Sequence, residues 1–301
     1  MTVTALLGAI ELGLLYSLVG LGVYLSFRIL DFPDLTVDGS FPLGGAVAAS
    51  LMVNGIHPLM ATAVAIAAGA IAGACTAWLT VKFKILNLLS SILTMIALYS
   101  LNLRIMGRPN VPLLGEFTLF SPLNRLPLPR QVVIPVILVI IVILVKVFLD
   151  ALLATEWGLA LRATGANPTM GRAQGVDTGM MIIIGMALSN ALVAFGGALF
   201  AQIYGFADVT LGVGTIVLGL AAVIIGETFT PGKTVFQGTL GVILGALVYR
   251  LAIAVALNAN FIGLQAQDLN LVTAVLVAIA LILPQTPLKP WFKEQLSKMR
   301  S

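Results

Sequence analysis

Nine long apolar segments follow one another along the chain, and they limit its possible folds more than any other feature. They lie at 5–27, 36–54, 58–81, 85–106, 132–155, 179–204, 209–226, 234–257 and 269–284. A helix needs about 20 such residues to cross ~30 Å of hydrocarbon. Only 9% of the residues are charged and 59% are hydrophobic, too few polar groups to cover a water-soluble domain. The sequence therefore predicts an all-α, polytopic transmembrane bundle of about nine (eight to ten) spans, forming one domain over 1–301.

Basic residues predict how these spans are oriented. A first group of spans occupies about 1–155, a polar connection 156–178, a second group about 179–284, and a tail 285–301. Positive charge accumulates in cytoplasmic loops, and all but one of the basic regions follow odd-numbered spans. They contain Arg28, Lys82, Lys84, Arg162, Arg172, Lys233, Lys289, Lys293, Lys298 and Arg300. The exception is the proline-rich connection 107–131, which we expect to be an ordered extracytoplasmic loop. We predict an extracytoplasmic N-terminus and a cytoplasmic C-terminus. No basic residue precedes Arg28, so segment 5–27 is predicted to remain as a span instead of being cleaved.

The sequence contains few residues suited to catalysis, metal binding or nucleic-acid binding. A single cysteine, Cys75, and a single histidine, His57, cannot form an intrachain disulfide or a cysteine- and histidine-rich metal site. The formal charge of +4 is scattered between apolar runs, which does not fit a nucleic-acid-binding surface. Residues 226–234 read GETFTPGKT, but five residues separate the glycines where a phosphate-binding loop needs four. We predict no catalytic residue, no metal and no cofactor on this chain, so that any ATP and Mg²⁺ would bind a partner subunit.

Two short segments resemble each other and predict an internal repeat. Residues 34–40 read DLTVDGS and residues 208–214 read DVTLGVG, and five predicted spans separate them. Because five is odd, the second copy would cross the membrane in the opposite sense, the inverted repeat found in many transporters. Chance similarity of two turn-plus-helix segments is the alternative. Asp34 and Asp38 could also be ordinary N-caps of the helix that follows them.

Several polar residues in or beside the predicted spans are candidates for a substrate pathway. Polar groups are costly inside a membrane and are often tied to function there. The candidates are Tyr16, Ser17, Asp34, Thr36, Asp38, Asn102, Asn190, Gln202, Asp208 and Thr210. The alternative for each is a side chain whose hydrogen bonds are satisfied within helix packing.

The connection 156–178 reads EWGLALRATGANPTMGRAQGVDT and predicts a short helix outside the membrane. Asn167 suits an N-cap, Pro168 suits the first helical position, and Gly175 can end the helix. With Arg162 and Arg172 nearby, such a helix is suited to dock into a groove on a partner. The alternative is a helix that rests on lipid head groups.

This connection resembles a segment of the membrane subunits of ABC importers for branched-chain amino acids, ribose and related sugars. The matching residues are Gly158, Leu159, Arg162, Ala163, Gly165, Asn167, Gly171, Gly175 and Val176. In that family the segment is the coupling helix, which inserts into the ATPase. The resemblance implies coupling roles for Arg162, Gly165, Asn167, Pro168, Thr169, Gly171, Arg172 and Gly175. It also implies cytoplasmic ABC ATPase subunits, a second permease subunit in a homo- or heterodimer, a periplasmic or lipid-anchored solute-binding protein, and the bacterial inner membrane.

Two further segments share this resemblance. Residues 34–40 look most like the permeases of tryptophan or tyrosine type, and 226–245 look like a glycine-rich segment of the branched-chain group. We therefore expect a permease subunit that carries an aromatic or branched-chain amino acid, or a similar small polar solute, by ATP-driven alternating access. A ribose- or nucleoside-type permease is the alternative, which Asp38 disfavours because it departs from the ribose-type pattern. An ion-coupled secondary transporter and an intramembrane enzyme are weaker alternatives.

Overall fold

The computed structural model describes residues 3–122, 129–230 and 234–258, together with Val275 and Ala278. This part of the chain forms ten α-helices and two three-residue strands. In order they are α1 (Val3–Val23), α2 (Val37–Val53), α3 (Pro58–Phe83), α4 (Asn87–Met106), β1 (Asn110–Pro112), α5 (Arg130–Ala154), α6 (Glu156–Ala166), α7 (Pro168–Ala173), α8 (Thr178–Tyr204), β2 (Phe206–Asp208), α9 (Thr215–Phe229) and α10 (Val235–Asn258).

The prediction of a polytopic helical bundle is confirmed. Seven helical segments are long and apolar enough to cross a membrane, and the apolar helix α2 is shorter, at 17 residues. The predicted span 209–226 lies within the candidate span Val209–Phe229, but the regular α-helix begins several residues after residue 209. Val209–Gly212 forms a 3-10 turn, and α9 begins only after Gly214, whose φ of +82° favours glycine. The predicted span 269–284 lies outside the continuously described residues.

The end of α1 departs from regular α-helix. Residues Tyr24–Ile29 continue α1 as a π-helical segment, a form often found at functional sites. The chain then turns through Asp31, which has a φ of +52°, before it enters α2.

Helices α2 and α8 lie at the centre of the bundle, and small residues allow them to approach closely. A Cβ atom on Gly44 would overlap the backbone of Ala194, and one on Gly197 would overlap the carbonyl oxygen of Phe41. On the other side of α8, Gly69 of α3 lies against Asn190 in the same way. Tight contact through small residues is the usual way in which membrane helices associate, because lipid supplies no hydrophobic drive.

The glycines of α10 serve a similar contact within the chain. Gly245 lies against the backbone of Ala222, and Gly241 lies against Gly226 and Thr230, so that α10 packs along α9. The described structure therefore uses these glycines for contacts inside one subunit.

The connection after α4 is ordered where it is described. Strand β1 pairs antiparallel with β2, with Asn110 opposite Asp208 and Pro112 opposite Phe206. This short ribbon ties the connection to the end of α8, as expected for an ordered loop.

Candidate coupling helix and substrate pathway

The connection between α5 and α8 contains two helices, α6 and α7. Thr155 caps α6 by accepting a hydrogen bond from the Gly158 amide (3.3 Å), and Asn167 caps α7 by accepting one from the Met170 amide (3.0 Å). After α7 the chain turns through Gly175, whose φ is +83°. The start and end predicted for the short helix are therefore present. The sequence did not predict α6, because its residues were interpreted as part of the connection.

One face of α7 is free of contacts with the bundle. Asn167, Pro168 and Thr169 are exposed, and Met170 is 62% exposed, on this face. On the other side, Gly171 is buried against Thr178, and the exposed Arg172 donates a hydrogen bond to the Thr178 hydroxyl (3.4 Å). A short capped helix that buries one residue and exposes its others has the form of a docking element.

The close packing of α6 explains why glycine occupies position 165, one of the predicted coupling residues. Gly165 lies in α6 against the end of the π-helical segment, and a Cβ atom there would overlap the carbonyl oxygen of Ile29. Gly171 differs, because a Cβ atom there would meet only the methyl group of Thr178 at 3.4 Å. Arg162 is partly buried beside this contact, and its Nε has no hydrogen-bond partner. The backbone of α6 is therefore pressed directly onto the end of α1.

An ion pair lies next to this contact. The Nε of Arg28, in the π-helical segment, is 2.6 Å from Oε1 of Glu227 near the end of α9. Both side chains are substantially exposed, at 60% and 43%. Exposed pairs of this kind contribute at most about 1 kcal/mol, so the contact can open at little cost.

Asp34 stands at the centre of a buried hydrogen-bond network. Its Oδ1 accepts a hydrogen bond from the Thr36 amide (2.9 Å), and its Oδ2 accepts one from Nδ2 of Asn190 (2.7 Å). The Ser40 hydroxyl donates to Oδ1 of Asn190 at 2.7 Å, and the hydroxyls of Thr36 and Thr76 are 2.8 Å apart. These polar groups connect α2, α3 and α8 and satisfy one another in this conformation.

Asp38 joins the starts of two helices that are distant in sequence. Its carboxylate accepts hydrogen bonds from the amides of Ile216 (2.7 Å) and Gly214 (3.3 Å), at the beginning of α9. Gly212 lies against the Asp38 carbonyl oxygen so closely that a Cβ atom there would overlap it. Asp38 therefore caps α9 although it belongs to α2, a role different from the N-cap of its own helix.

The same local turn occurs in both segments of the predicted repeat. Oδ1 of Asp208 accepts a hydrogen bond from the Thr210 amide (2.8 Å), as Oδ1 of Asp34 does from the Thr36 amide. A side-chain amide, from Asn110, also donates to Oδ2 of Asp208 (3.0 Å). The inverted repeat itself stays a prediction.

Thr210 is exposed at the surface near the strands, and Asp208 is partly exposed. Slight burial would raise the pKa of the Asp208 carboxyl, but hydrogen bonds from Thr210 and Asn110 stabilise the ionised form and leave its pKa below the usual value. The group is thus a fixed negative charge at this end of the bundle.

The other pathway candidates are buried between helices. Nδ2 of Asn102 donates to the Gly39 carbonyl oxygen (3.3 Å), while its Oδ1 has no partner. Nε2 of Gln202 donates to the Thr62 hydroxyl (2.8 Å). Tyr16 is buried in the core. A pathway role for these residues stays a prediction.

Sequence reasoning missed a buried ion pair in α5. Lys146 contacts Asp150 one turn later, its ammonium lies 3.6 Å from the centre of the Phe236 ring, and Asp150 also accepts a hydrogen bond from the Thr239 hydroxyl (2.7 Å). Opposite charges four residues apart inside an apolar run were the available signal. The pair links α5, which leads into α6, to α10.

The described residues form a helical bundle with seven candidate membrane spans and a capped helix, α7, in the connection between α5 and α8, as in a polytopic membrane protein. The chain belongs to the family described as the permease component of branched-chain amino acid transport systems, whose model matches residues 5–283.

Relatives agree with this family, and a solved structure shares the fold. The tyrosine transport system permease protein of Clostridioides difficile is 41% identical over 265 residues, covering 88% of this chain and 86% of the relative. The ribose import permease protein of Escherichia coli K12 is 28% identical, covering 83% of this chain and 76% of the relative. The structure of PsaBC from Streptococcus pneumoniae in complex with Fab matches with a TM-score of 0.50 and 14% identity, covering 92% of this chain and 89% of that one. This last likeness concerns the fold alone.

Proposed function

We propose that this chain is the membrane-spanning subunit of an ABC importer, and that it carries an aromatic or branched-chain amino acid into the cell by ATP-driven alternating access. The observation that carries this proposal is the packing of α6 and α7. An exposed, capped α7 is joined to an α6 whose Gly165 presses on the backbone of Ile29 at the end of α1. An ATPase that grips α7 would therefore act directly on a membrane helix.

The contacts beyond Gly165 suggest how this movement spreads. Ile29 follows Arg28, which pairs with Glu227 and so connects the end of α1 to the end of α9. When the ATPase moves α6, the weak Arg28–Glu227 contact opens, and α9 separates from α1 at this end of the bundle. ATP supplies the bias because it binds with different affinity to the two conformations.

The solute assignment rests on relatives. The 41% identity to a tyrosine transport system permease favours an amino acid. The 28% identity to a ribose import permease supports the second candidate, a ribose- or nucleoside-type solute. Within the amino-acid proposal, this relative favours an aromatic solute over a branched-chain one.

The proposed assembly contains two permease subunits, two cytoplasmic ABC ATPases that hold ATP and Mg²⁺, and a periplasmic or lipid-anchored solute-binding protein. It lies in the bacterial inner membrane, with the N-terminus outside and α6, α7 and the C-terminus in the cytoplasm. An absolute need for the ATPase would also separate this importer from an ion-coupled transporter.

The test is uptake by proteoliposomes that contain the chain, its ATPase and its solute-binding protein. We expect uptake of radiolabelled L-tyrosine only with ATP on the ATPase side, and no uptake of ribose. Uptake of ribose alone would replace the amino-acid proposal by the second candidate. Uptake driven by an ion gradient without ATP would refute the ABC importer.

The orientation of α7 can be tested separately. The exposed Cys75 is replaced by Ser, and Met170→Cys supplies a single label site on α7. A membrane-impermeant maleimide should label this cysteine in inverted vesicles and not in intact cells. Labelling from outside intact cells would place α7 on the wrong side for an ATPase.

A further inference from the structure

A polar cavity lies between the connection after α4, the start of α5 and the end of α8. Its volume is about 300 Å³, at the lower end of the roughly 300–1,000 Å³ typical of ligand pockets. The polar residues that line it are Glu116, Thr118, Ser121, Arg130, Gln202 and Tyr204. In the proposed orientation this end of the bundle is extracytoplasmic, which is the side from which an imported solute arrives.

Two other cavities among the described residues have a different lining. One of about 480 Å³, between α5, α6 and α8, is lined by aliphatic and aromatic residues and by Thr155. Another of about 180 Å³, beside the π-helical segment and α9, is lined by apolar residues apart from Ser26 and Asp34. A charged solute that leaves water needs hydrogen-bonding partners in its site. Of these three cavities, the one at the end of α8 is therefore the best suited to such a solute.

The walls of this polar cavity are fixed by hydrogen bonds. Gln202 is buried, and its Oε1 accepts a hydrogen bond from the Leu119 amide (3.1 Å) while its Nε2 donates to the Thr62 hydroxyl (2.8 Å). The Leu113 amide donates to the carbonyl oxygen of Gly205 (2.8 Å). The connection after α4 is thus held against the end of α8, so that a solute would meet a preformed site with little ordering to be done on binding.

Arg130, the first residue of α5, supplies a positive charge to this cavity. One of its guanidinium nitrogens donates to the Ile203 carbonyl oxygen (2.6 Å), which fixes the direction of the side chain. A guanidinium has five N–H donors, so this bond uses only a part of its capacity. Glu11 lies within electrostatic range of Arg130 but is hydrogen-bonded to Tyr204. Arg130 takes part in neither of the two ion pairs found in the described part of the chain.

Glu116 lines the same cavity from the opposite element, the connection after α4. Its amide donates to the carbonyl oxygen of Leu113 (3.1 Å), which places it in a turn, and the residue is partly exposed. Like Arg130, it belongs to neither of the ion pairs that the described residues form. One cation and one anion therefore line a polar cavity without pairing with each other. An α-amino acid carries the two complementary charges on neighbouring atoms of a small head group.

We propose that this cavity is an entry site for an amino-acid solute, in which Arg130 receives the carboxylate and Glu116 receives the ammonium group. A guanidinium binds carboxylate through two parallel hydrogen bonds, which gives direction as well as affinity. The inference rests on the proposed amino-acid function and adds to it the residues that recognise the charged head group of the solute.

The test measures binding by saturation-transfer NMR to the purified chain in nanodiscs. Three probes are used: L-tyrosine, tyramine, which lacks the carboxylate, and 3-(4-hydroxyphenyl)propionate, which lacks the ammonium group. We expect L-tyrosine to bind at least about tenfold more tightly than either analogue, because the loss of a hydrogen bond between charged groups changes affinity by about tenfold or more.

The variants should change affinity in a probe-specific way. Arg130→Gln should weaken L-tyrosine to the level of tyramine and leave tyramine unchanged. Glu116→Gln should weaken L-tyrosine to the level of the propionate and leave the propionate unchanged. Arg130→Lys, which keeps the charge, should lose less than Arg130→Gln. Arg108→Gln removes an exposed arginine from the same connection and should bind all three probes as the wild type does, which makes it the matched control.

A lipid head group is the other source of the same chemistry, because phosphatidylethanolamine carries a phosphate and an ammonium group. Binding is therefore measured in nanodiscs of phosphatidylcholine alone and in nanodiscs that also contain phosphatidylethanolamine. We expect equal affinity for L-tyrosine in both. If phosphatidylethanolamine displaces L-tyrosine, and Arg130→Gln reduces the amount of this lipid retained by the chain, a lipid occupies the cavity and the entry site is refuted.

The entry site is also refuted if the wild-type chain binds the three probes equally or binds none of them, or if the Arg130 and Glu116 variants bind L-tyrosine normally. The proposed function fails in a different experiment, when the complete importer carries ribose and no L-tyrosine. An importer that carries L-tyrosine while both variants keep wild-type binding refutes the entry site alone.

Discussion

The buried pair in α5 allows a quantitative test of how the bundle is held together. Lys146 and Asp150 retain only 8% and 17% of their side-chain exposure, and Asp150 also accepts the Thr239 hydroxyl. Lys146→Met would leave the Asp150 carboxylate buried with a single hydroxyl partner. Asp150→Leu would leave the Lys146 ammonium with only the face of Phe236.

Breaking one side of a buried ion pair costs about 3–5 kcal/mol, because the remaining charge is desolvated without compensation. Replacing both partners with apolar residues of similar size is often close to neutral. We therefore expect each single variant to lower the free energy of unfolding by about 3–5 kcal/mol. The double variant Lys146→Met/Asp150→Leu should lose about 1 kcal/mol or less, which gives a large coupling energy in the double-mutant cycle.

The measurement is unfolding of the purified chain by titration with SDS, followed by circular dichroism. Lys82→Met removes an exposed lysine at the end of α3 and should change stability by no more than about 0.5 kcal/mol. The reasoning is refuted if Lys146→Met costs under about 1 kcal/mol, or if the double variant loses as much as the two singles together.

The other predictions concern the coupling of ATP hydrolysis to uptake and the contact between α2 and the start of α9. Gly165→Ala should uncouple ATP hydrolysis from uptake in proteoliposomes, because the added Cβ atom would overlap the Ile29 backbone. Gly171→Ala should transport normally, because its added Cβ atom would lie 3.4 Å from the Thr178 methyl group. Equal effects of the two variants would contradict the packing argument. Glu227→Gln should change the free energy of unfolding by about 1 kcal/mol or less yet raise ATP hydrolysis without solute, because it releases Arg28. Unchanged hydrolysis without solute would show that the Arg28–Glu227 contact does not restrain the resting conformation. Asp38→Asn should lower the free energy of unfolding by about 1 kcal/mol, because α9 loses a charged cap. In the same SDS titration, a decrease below about 0.2 kcal/mol would show that the cap does not contribute to stability.

Local sequence was sufficient for the elements of the fold. Apolar runs of about 20 residues predicted the spans, because crossing hydrocarbon requires that length and that composition whatever the neighbours are. Asn167, Pro168 and Gly175 predicted the short helix α7 for the same kind of reason, since caps act within one turn of the chain.

The break before α9 shows where local reasoning stopped. Residues 209–226 are apolar enough to be predicted as one span, yet the helix starts at Thr215, where Asp38 of another helix supplies the cap. Asp38 likewise looked like a cap for its own helix. A cap that comes from 176 residues away in sequence cannot be recognised before the chain is folded.

The sequence by itself determined that this chain lies in a membrane, that its structure is helical, and that one connection carries a capped helix. Only the tertiary structure decided which polar residues meet. It placed Asn190 on Asp34, Gly165 on Ile29, and the Ile216 amide at the start of α9 on Asp38. The physical reason is range: burial and helix formation depend on near neighbours, whereas hydrogen bonds, close backbone contacts and charge pairs depend on how distant helices pack.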